Sequence, residues 1–414
     1  MDIARARAIV PHMKTDVIIA GGGLAGTALA IALSQGGLRV ALVDPVPAAD
    51  RGAAGFDGRS YALSVGSRNL LRTIGVWDAV AGDAQPILDI CISDGRVGEG
   101  PSPLTLHFDH AEIEEGPMGH MVEDRHLRPA LLNARGDIVR IEAGVARQQI
   151  EPGAVEVTLT NGDTLQAAAL VGCDGKRSGV AQRAGIRRTG WDYSQSALVA
   201  AISHEKSHEG IAHQFFMPEG PLAILPLMGN RASIVWTERR DRADALTALP
   251  DAAYLDVLRP RFGDFLGDIT LAGARFNYPL SLSIANRLVA DRMALVGDAA
   301  HAVHPIAGQG LNAGLKDVAA LAEVLILARR RGEDIGRIDV LERYQRWRRF
   351  DVATLALATD GFNRLFSNDN PVLRLARDLG LAAVQRLPDL RRGFIREAAG
   401  LTGDRPKLLQ GQKV

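Results

Sequence analysis

The first regular pattern in the chain is an uncharged stretch close to its N-terminus. Residues 17–38 contain no Asp, Glu, Lys or Arg, and about 20 apolar residues are enough to cross a bilayer. Glycines interrupt this stretch repeatedly, and each glycine weakens a helix interior by about 1 kcal/mol. The pattern therefore disfavours a membrane-spanning helix and favours a glycine-rich turn between shorter elements.

The same stretch predicts a strand–helix–strand unit that binds a dinucleotide. Its parts are a strand at Val17–Ala20, glycines at Gly21, Gly23 and Gly26, a helix closed by Gly36 and Gly37, a strand at Arg39–Val43, and Asp44. Glycines at this spacing permit a tight turn, close approach of a pyrophosphate, and close helix packing. The helix N-terminus would hold the phosphates and Asp44 the ribose hydroxyls. A glycine-rich turn without a ligand is the alternative.

Hydrophobic periodicity divides the rest of the chain into further elements. A helical period begins near Ser60, and residues 84–121 alternate like short strands and turns. A strand followed by a helix is predicted in GHMVEDRHLRPALLNA, and a hairpin around Asn161-Gly162 that leads into a buried strand at Ala167–Cys173. Residues 194–277 predict strands with a helical insert near Leu246–Phe265.

A chain of 414 residues is long for one hydrophobic core. Because the nucleotide-binding pattern resumes after the strand-rich middle, we predict an α/β protein in which a nucleotide-binding domain is interrupted by a β-sheet domain. The predicted segments are a flexible leader (1–15), the nucleotide-binding domain (16–83, 122–193 and 281–340), the β-sheet substrate domain (84–121 and 194–280), and a C-terminal helical region (341–414).

Composition narrows the function classes. Lys plus Arg and Asp plus Glu each number 48, so no overall field favours nucleic acid. Cys91 and Cys173 form no CxxC motif, which indicates a reducing compartment and no structural zinc; Cys173 is predicted to pack at a strand end. The leader lacks the apolar core of a signal peptide. We expect a cytoplasmic protein that is soluble or peripheral to the membrane.

Two later segments carry the same kind of strand-end loop as the first unit. In VGCDGKRSGV, a buried strand delivers Asp174 to a turn, and Ser178 can cap the following helix. In ALVGDAAHAVHPIAGQGLNAG, a strand at Ala294–Val296 precedes Gly297 and Asp298, which can accept from a ribityl or ribose hydroxyl. Such loops meet at the carboxyl edge of a doubly wound sheet. The three segments are therefore expected to converge on one ligand.

The loop after Asp298 predicts a flavin contact. Pro305 and Gly308-Gln309-Gly310 lead into a helix at about Leu311–Arg329, whose first N–H groups suit negative charge on a flavin N1–C2=O edge. His301 and His304 suggest a metal site, but no further carboxylate or histidine follows at ligand spacing. We therefore predict no metal.

Taken together, the GxGxxG, CDGKRS and GDAAHAVHPIAGQGLNAGLKD motifs resemble those of the FAD-dependent aromatic hydroxylases related to p-hydroxybenzoate hydroxylase. Within that group, GFDGRSYALSVGSRNLL, GHMVEDRHLRPALL and RLARDLGLAAVQRLPDLRRGFIREAAGL are similar to ubiquinone-biosynthesis hydroxylases. The resemblance covers most of the chain and implies a Rossmann-like FAD-binding domain interrupted by the substrate domain. Relatives often have Asn where this chain has Asp124.

The resemblance also implies site residues. FAD contacts are implied for Gly21, Gly23, Gly26, Asp44, Arg59, Arg125, Asp174, Asp298, Gly308, Gln309 and Gly310. A loop facing the reacting flavin is implied for Pro305, Gly308 and Gln309, with no residue assigned as general base.

The activity implied by the resemblance is hydroxylation of a prenylated phenol in ubiquinone biosynthesis, using NAD(P)H and O2 through a C4a-hydroperoxyflavin. NAD(P)H is expected to bind transiently, because no second GxGxxG follows a strand. Two alternatives stay open: a non-catalytic flavin subunit that organises a membrane-associated biosynthetic assembly, and a flavin reductase acting on isoprenoid double bonds.

The C-terminal region predicts a docking surface for an apolar substrate. Residues 341–400 contain eleven Arg against seven Asp or Glu. Apolar residues between Phe362 and Leu379 accompany Arg364, Arg374 and Arg377, as in helices that lie on a membrane. Packing against the protein's own domain is the alternative, and contact with other ubiquinone-biosynthesis proteins would serve the same purpose as contact with a membrane.

Overall fold

The computed structural model describes residues 13–51, 58–98, 100–101, 105–303, 309–366 and 387–414. Strands and helices are numbered here along the chain. The first sheet has eight strands: β1 (Met13–Ala20), β2 (Val40–Val43), β9 (Val139–Ile141), β10 (Val145–Glu151), β11 (Ala154–Leu159), β12 (Thr164–Gly172), β19 (Val289–Ala290) and β20 (Met293–Leu295).

The centre of this sheet is parallel and carries the first predicted unit. Strand β1 lies between β2 and β12, and β20 continues the parallel arrangement beside β12. Val17, Ile18 and Ile19 are completely buried, as expected of a parallel strand whose two faces are covered. The α/β class and the strand–helix–strand unit are confirmed.

Strand β1 begins earlier than the predicted end of the leader. Met13–Thr15 pair in parallel with Leu165–Ala167, so the leader boundary at residue 15 is wrong for these three positions. Pairing with β12, which is distant in sequence, extends the strand beyond its apolar segment. Residues 1–12 lie outside the described ranges.

The second sheet has ten strands: β5 (Asp89–Arg96), β6 (Gly100–Pro101), β7 (Leu106–Asp109), β13 (Arg188–His204), β14 (Ile211–Met217), β15 (Gly220–Leu227), β16 (Arg231–Arg239), β17 (Ile269–Leu271), β18 (Phe276–Ala285) and β21 (His301–Ala302). A three-stranded sheet contains β3 (Ser60–Ser64), β4 (Gln85–Ile87) and β8 (Gly119–Glu123). Strands of the two large sheets thus interleave along the chain, while the predicted domain limits stay a prediction.

The helices are α1 (Leu24–Gln35), α2 (Ala48–Arg51), α3 (Val65–Thr73), α4 (Asp124–Ala134), α5 (Gly179–Arg183), α6 (Arg240–Thr247), α7 (Asp251–Phe262), α8 (Gln309–Arg330), α9 (Ile338–Phe366) and α10 (Pro388–Ala398). Helices α1 and α8 pack on each other, and α9 packs on α8. None of the helices in the described ranges is both long and apolar enough to span a membrane.

One element has a different type from its prediction. Ser60–Ser64 form strand β3, not the start of a helix, because they pair with Gly119–Glu123 of β8. The helix begins only at Val65, where the Ser64 hydroxyl accepts a hydrogen bond from the Ser67 N–H. The hairpin at Asn161-Gly162 is confirmed by the antiparallel pair β11–β12.

Two other boundaries shift for similar reasons. Strand β13 begins at Arg188, before the predicted start at Ser194, because Arg188–Asp192 pair with β18. The helical insert begins at Arg240 instead of near Leu246. Neither shift changes which residues reach the strand ends described below.

Candidate active site

The carboxyl ends of four parallel strands border a cavity of about 850 Å³. The loops that follow β1, β2, β12 and β20 enter it from one side, and the ten-stranded sheet forms the opposite wall. Eight predicted site residues line this cavity: Gly21, Gly23, Gly26, Asp44, Arg59, Asp174, Asp298 and Gly310. The predicted convergence of three distant segments is therefore present in the structure.

In the glycine motif, Gly21 leaves no space for a side chain, whereas Gly23 borders open space. Gly21 has φ +106°, and a Cβ there would lie 2.3 Å from the Cys173 carbonyl oxygen. A Cβ at Gly23 would meet no atom within 4 Å, so its backbone faces open cavity. Gly23 precedes α1, which has no side-chain cap and no acidic residue in its first turn. The exposed N–H groups of this helix start suit a phosphate.

Asp44 makes more hydrogen bonds within the protein than the sequence suggested. Its carboxylate accepts the Gly22 N–H at 2.6 Å and the Val46 N–H at 2.8 Å. Arg51 donates to both carboxylate oxygens, at 3.1 and 2.9 Å. Asp44 therefore closes the glycine turn, and a ribose hydroxyl would replace or share the Arg51 contact. Arg51 was not recognised from the sequence.

The loop after β12 is braced by its own side chains. Asp174 accepts from the Ser178 hydroxyl and from the Val180 N–H, while Ser178 caps α5 by accepting from Ala181. The predicted cap is confirmed. Burial raises the pKa of the neighbouring Cys173 thiol well above its ordinary value, which keeps this residue neutral and in keeping with a packing role.

The loop after β20 presents Asp298 to the cavity. Gly297 has φ +63°, and the Asp298 side chain lies open to the cavity. Desolvation by the surrounding walls raises the pKa of Asp298, against the opposing charges of His301, Arg188 and Lys176. Arg188 donates from β13 to the Asp298 carbonyl at 3.1 Å, so the ten-stranded sheet also holds this turn.

A buried carboxylate fixes the same turn from behind. Asp317 in α8 accepts the Gly297 N–H at 2.9 Å and the His301 Nε2–H at 2.6 Å through one oxygen. Arg348 of α9 donates to the other oxygen at 2.7 Å. Asp317 and Arg348 are almost completely buried. His301 is thus engaged by a carboxylate, and His304, the other histidine of the rejected metal site, lies outside the described residues.

A second charged cluster was missed by the sequence reasoning. Asp124 accepts from the Tyr61 hydroxyl at 2.7 Å and twice from Arg128, at 2.9 and 2.7 Å. Arg59 lies 3.4 Å from the same carboxylate. Burial raises the pKa of Tyr61 far above its ordinary value, so Tyr61 stays a neutral donor. Tyr61 and Arg128 line the cavity within motifs that the sequence had already singled out.

The remaining predicted residues are placed differently. Arg125 lies 2.8 Å from Glu123 at the start of α4. Gln309 is the first residue of α8, where no acidic residue occupies the first turn. Pro305 and Gly308 lie outside the described residues.

These features fit a dinucleotide with an extended ring system. Two helix starts supply N–H donors beside the open glycine backbone, and Arg51, Arg59 and Arg128, each paired with a carboxylate, line the same cavity. Acidic side chains at the strand ends supply acceptors for sugar hydroxyls. The opposite wall consists mainly of apolar residues of the ten-stranded sheet, which suits an uncharged organic group.

Comparison with known proteins agrees with this chemistry. A family model described as an FAD binding domain matches residues 14–358. The chain is 46% identical over 403 residues to the ubiquinone hydroxylase UbiL of Rhodospirillum rubrum, covering 96% of this chain and 92% of that protein. It is 36% identical over 399 residues to the 3-demethoxyubiquinol 3-hydroxylase of Escherichia coli, covering 94% and 100%.

A solved structure shares the fold at lower sequence identity. The crystal structure of p-nitrophenol 4-monooxygenase PnpA from Pseudomonas putida matches with a TM-score of 0.78 and 20% identity, covering 96% of this chain and all of that one. The chain therefore shares its fold with that monooxygenase.

The Asp317 network generates the first prediction. Asp317→Asn should lower the free energy of unfolding by about 3–5 kcal/mol near neutral pH, because the buried Arg348 would lose one of its two carboxylate partners and keep only the half-buried Asp351. Asp339→Asn, which breaks the exposed pair with Arg337, should cost at most about 1 kcal/mol. Urea denaturation of both variants measures the difference, and equal losses would contradict the prediction.

The stability difference between the parent and Asp317→Asn is expected to depend on pH. Burial alone would raise the pKa of Asp317, but His301 and Arg348 outweigh it and hold that pKa below its ordinary value. A lowered folded-state pKa stabilises the protein above the unfolded-state pKa and ceases to do so as pH falls through the folded-state pKa. The stability gap between parent and Asp317→Asn should therefore narrow in acid.

Proposed function

The chain belongs to the FAD-dependent hydroxylase family of ubiquinone biosynthesis, and from this premise we propose that it hydroxylates the aromatic ring of a prenylated phenol at the cavity described above. The observation that carries this proposal is the junction of a nucleotide-binding strand edge with an apolar sheet wall inside one cavity. Such a cavity accommodates a polar cofactor and an apolar substrate side by side.

In this proposal the strand-end loops hold FAD. The pyrophosphate lies against Gly23 and the start of α1, and the ribityl chain lies near Asp298. Arg59, positioned by Asp124, contacts the cofactor from the opposite loop. Gln309 and Gly310 at the start of α8 face the isoalloxazine edge. The assignment of Pro305 and Gly308 to the flavin face stays a proposal from the sequence.

Bound FAD supplies the redox chemistry, by taking reducing equivalents from NAD(P)H and using O2 to deliver one oxygen atom to the ring. The chain's own contribution is to orient the two ligands and to keep water away from the reacting atoms. The apolar wall, which includes Val199 and Val235, performs the second task. NAD(P)H binds transiently, since the chain carries one GxGxxG after a strand.

The decisive experiment combines turnover with product mass. Purified FAD-loaded protein is expected to oxidise NAD(P)H faster when a prenylated phenol is added, and to yield a product with one additional oxygen atom. Two added hydrogens would favour the reductase alternative. Retention of FAD without turnover on any prenylated phenol would favour the non-catalytic organiser.

Replacement of Asp298 tests the cofactor assignment. Asp298→Ala should raise the Kd for FAD by roughly 10- to 100-fold, because a hydrogen bond to a charged acceptor is worth about 1.5–3 kcal/mol. Asp291→Ala, which removes an exposed carboxylate in the turn before β20, is the matched control. Equal FAD affinity of both variants, measured by fluorescence titration, would remove Asp298 from the cofactor site.

We also propose that the C-terminal region contacts a membrane, or a pathway protein that presents the prenylated substrate. Phe350 and Leu357 of α9 are 77% and 75% exposed and lie seven residues apart, on the same helix face. Arg346 and Arg349 are exposed beside Phe350. Of the residues named in the sequence prediction, Phe362 and Arg364 belong to α9, whereas Arg374, Arg377 and Leu379 lie outside the described ranges.

Vesicle binding tests this contact. Replacing Phe350 and Leu357 with Ser, or Arg374 and Arg377 with Glu, should weaken binding to anionic vesicles and lower activity on long-chain substrates. FAD content and short-chain activity should not change. Val97→Ser removes an exposed apolar side chain elsewhere and serves as control. Equal vesicle binding by parent and variants at low salt, where screening is weakest, would contradict the contact.

A further inference from the structure

The ten-stranded sheet uses its two faces for different purposes. Successive residues of a strand point to opposite faces. On β16, Ile234 and Trp236 pack into a core with α6 and α7, whereas Ser233 and Val235 line the cavity. Neighbouring strands follow the same alternation, so the cavity wall is a regular sheet surface.

One row of residues crosses this wall in register. Val199 of β13 pairs with Val235 of β16, Val235 with Ala223 of β15, and Ala223 with Gln214 of β14. All four residues line the cavity. Adjacent strands lie about 4.8 Å apart, so the row spans roughly 14 Å. It consists of three apolar side chains and ends in a carboxamide.

The carboxamide of Gln214 is available for a ligand. Gln214 is half-buried and lines the cavity, and its side chain has no hydrogen-bond partner among the residues that the structure describes. Its sequence neighbours point the other way: Phe215 is buried in the core on the opposite face. A side-chain amide offers both donors and an acceptor. It can therefore donate a hydrogen bond to a hydroxyl or accept one from it.

We propose that Gln214 is a specificity-determining residue that recognises a ring oxygen of the substrate, while the apolar row beside it accommodates the prenyl chain. This inference rests on the proposed function and adds to it the group that orients the ring. A ring hydroxyl that is hydrogen-bonded to Gln214 lies at the polar end of the row of four residues. The attached chain can then lie over Ala223, Val235 and Val199, where it displaces water from apolar surface.

Ligand discrimination tests this role in the FAD-loaded protein. Two ligands are compared: a phenol with a short prenyl chain, and the same prenylated ring without the hydroxyl. The parent is expected to bind the phenol about tenfold more tightly, as a neutral hydrogen bond allows. Gln214→Met, which keeps size but removes the amide, should bind both ligands within about twofold of each other.

A second glutamine of the same sheet supplies the matched control. Gln195 on β13 donates to the Glu219 carbonyl at 2.9 Å, so Gln195→Met removes an amide that is already engaged within the protein. This variant should keep the parent's preference for the phenol. FAD content and thermal midpoint are measured for both variants, and Gln214→Leu replaces Gln214→Met should the latter fail to load FAD.

The outcomes separate this inference from the proposed function. A parent that hydroxylates the phenol but binds both ligands equally, or a Gln214→Met variant that keeps the full preference, overturns the role of Gln214 alone. A parent that binds FAD yet hydroxylates no prenylated phenol overturns the proposed function. Loss of preference in Gln214→Met together with a lower ratio of product to NAD(P)H consumed supports the inference, because a misoriented ring wastes reducing equivalents.

Discussion

The buried carboxylate of Asp317 is the interaction on which the site depends most. It holds the Gly297 N–H of a strand-end turn, the His301 ring of β21 and the Arg348 guanidinium of α9. Strand β21 belongs to the ten-stranded sheet, and Gly297 follows the eight-stranded one. Asp317 therefore connects the strand-end turn to the ten-stranded sheet, as Arg188 does from β13. A charge buried this completely is stable only with all its partners in place.

The two sides of the cavity differ in the charged and polar groups that they present. On the strand-end side, the helix starts present N–H groups beside glycine backbone, so a charged diphosphate would find donors there. Arg51 and Arg59 are themselves held by Asp44 and Asp124. The positive groups are thus positioned in advance by carboxylates, which lowers the cost of ordering them on binding.

The sequence pattern correctly predicted those parts of the structure that depend on residues close together in the chain. The glycine turn, the Ser178 cap and the Asn161-Gly162 hairpin depend on neighbouring residues, and all three are present. Strand β3 depends on pairing with β8, about sixty residues later along the chain, and a helical period concealed it. Arg51 and Tyr61 were not predicted because their hydrogen bonds to the carboxylates of Asp44 and Asp124 form only in the folded chain.

Gln214 illustrates why the substrate side was harder to predict. In the strand sequence IAHQFFM, a glutamine between histidine and phenylalanine has no distinguishing pattern. Its significance comes from sheet register, because a shift of one residue would turn it into the core and bring Phe215 to the cavity. The same register places three small or branched apolar side chains beside it. The proposed substrate contacts thus depend on register across several strands, whereas the glycine motif that predicts the cofactor is a pattern along one segment of the chain.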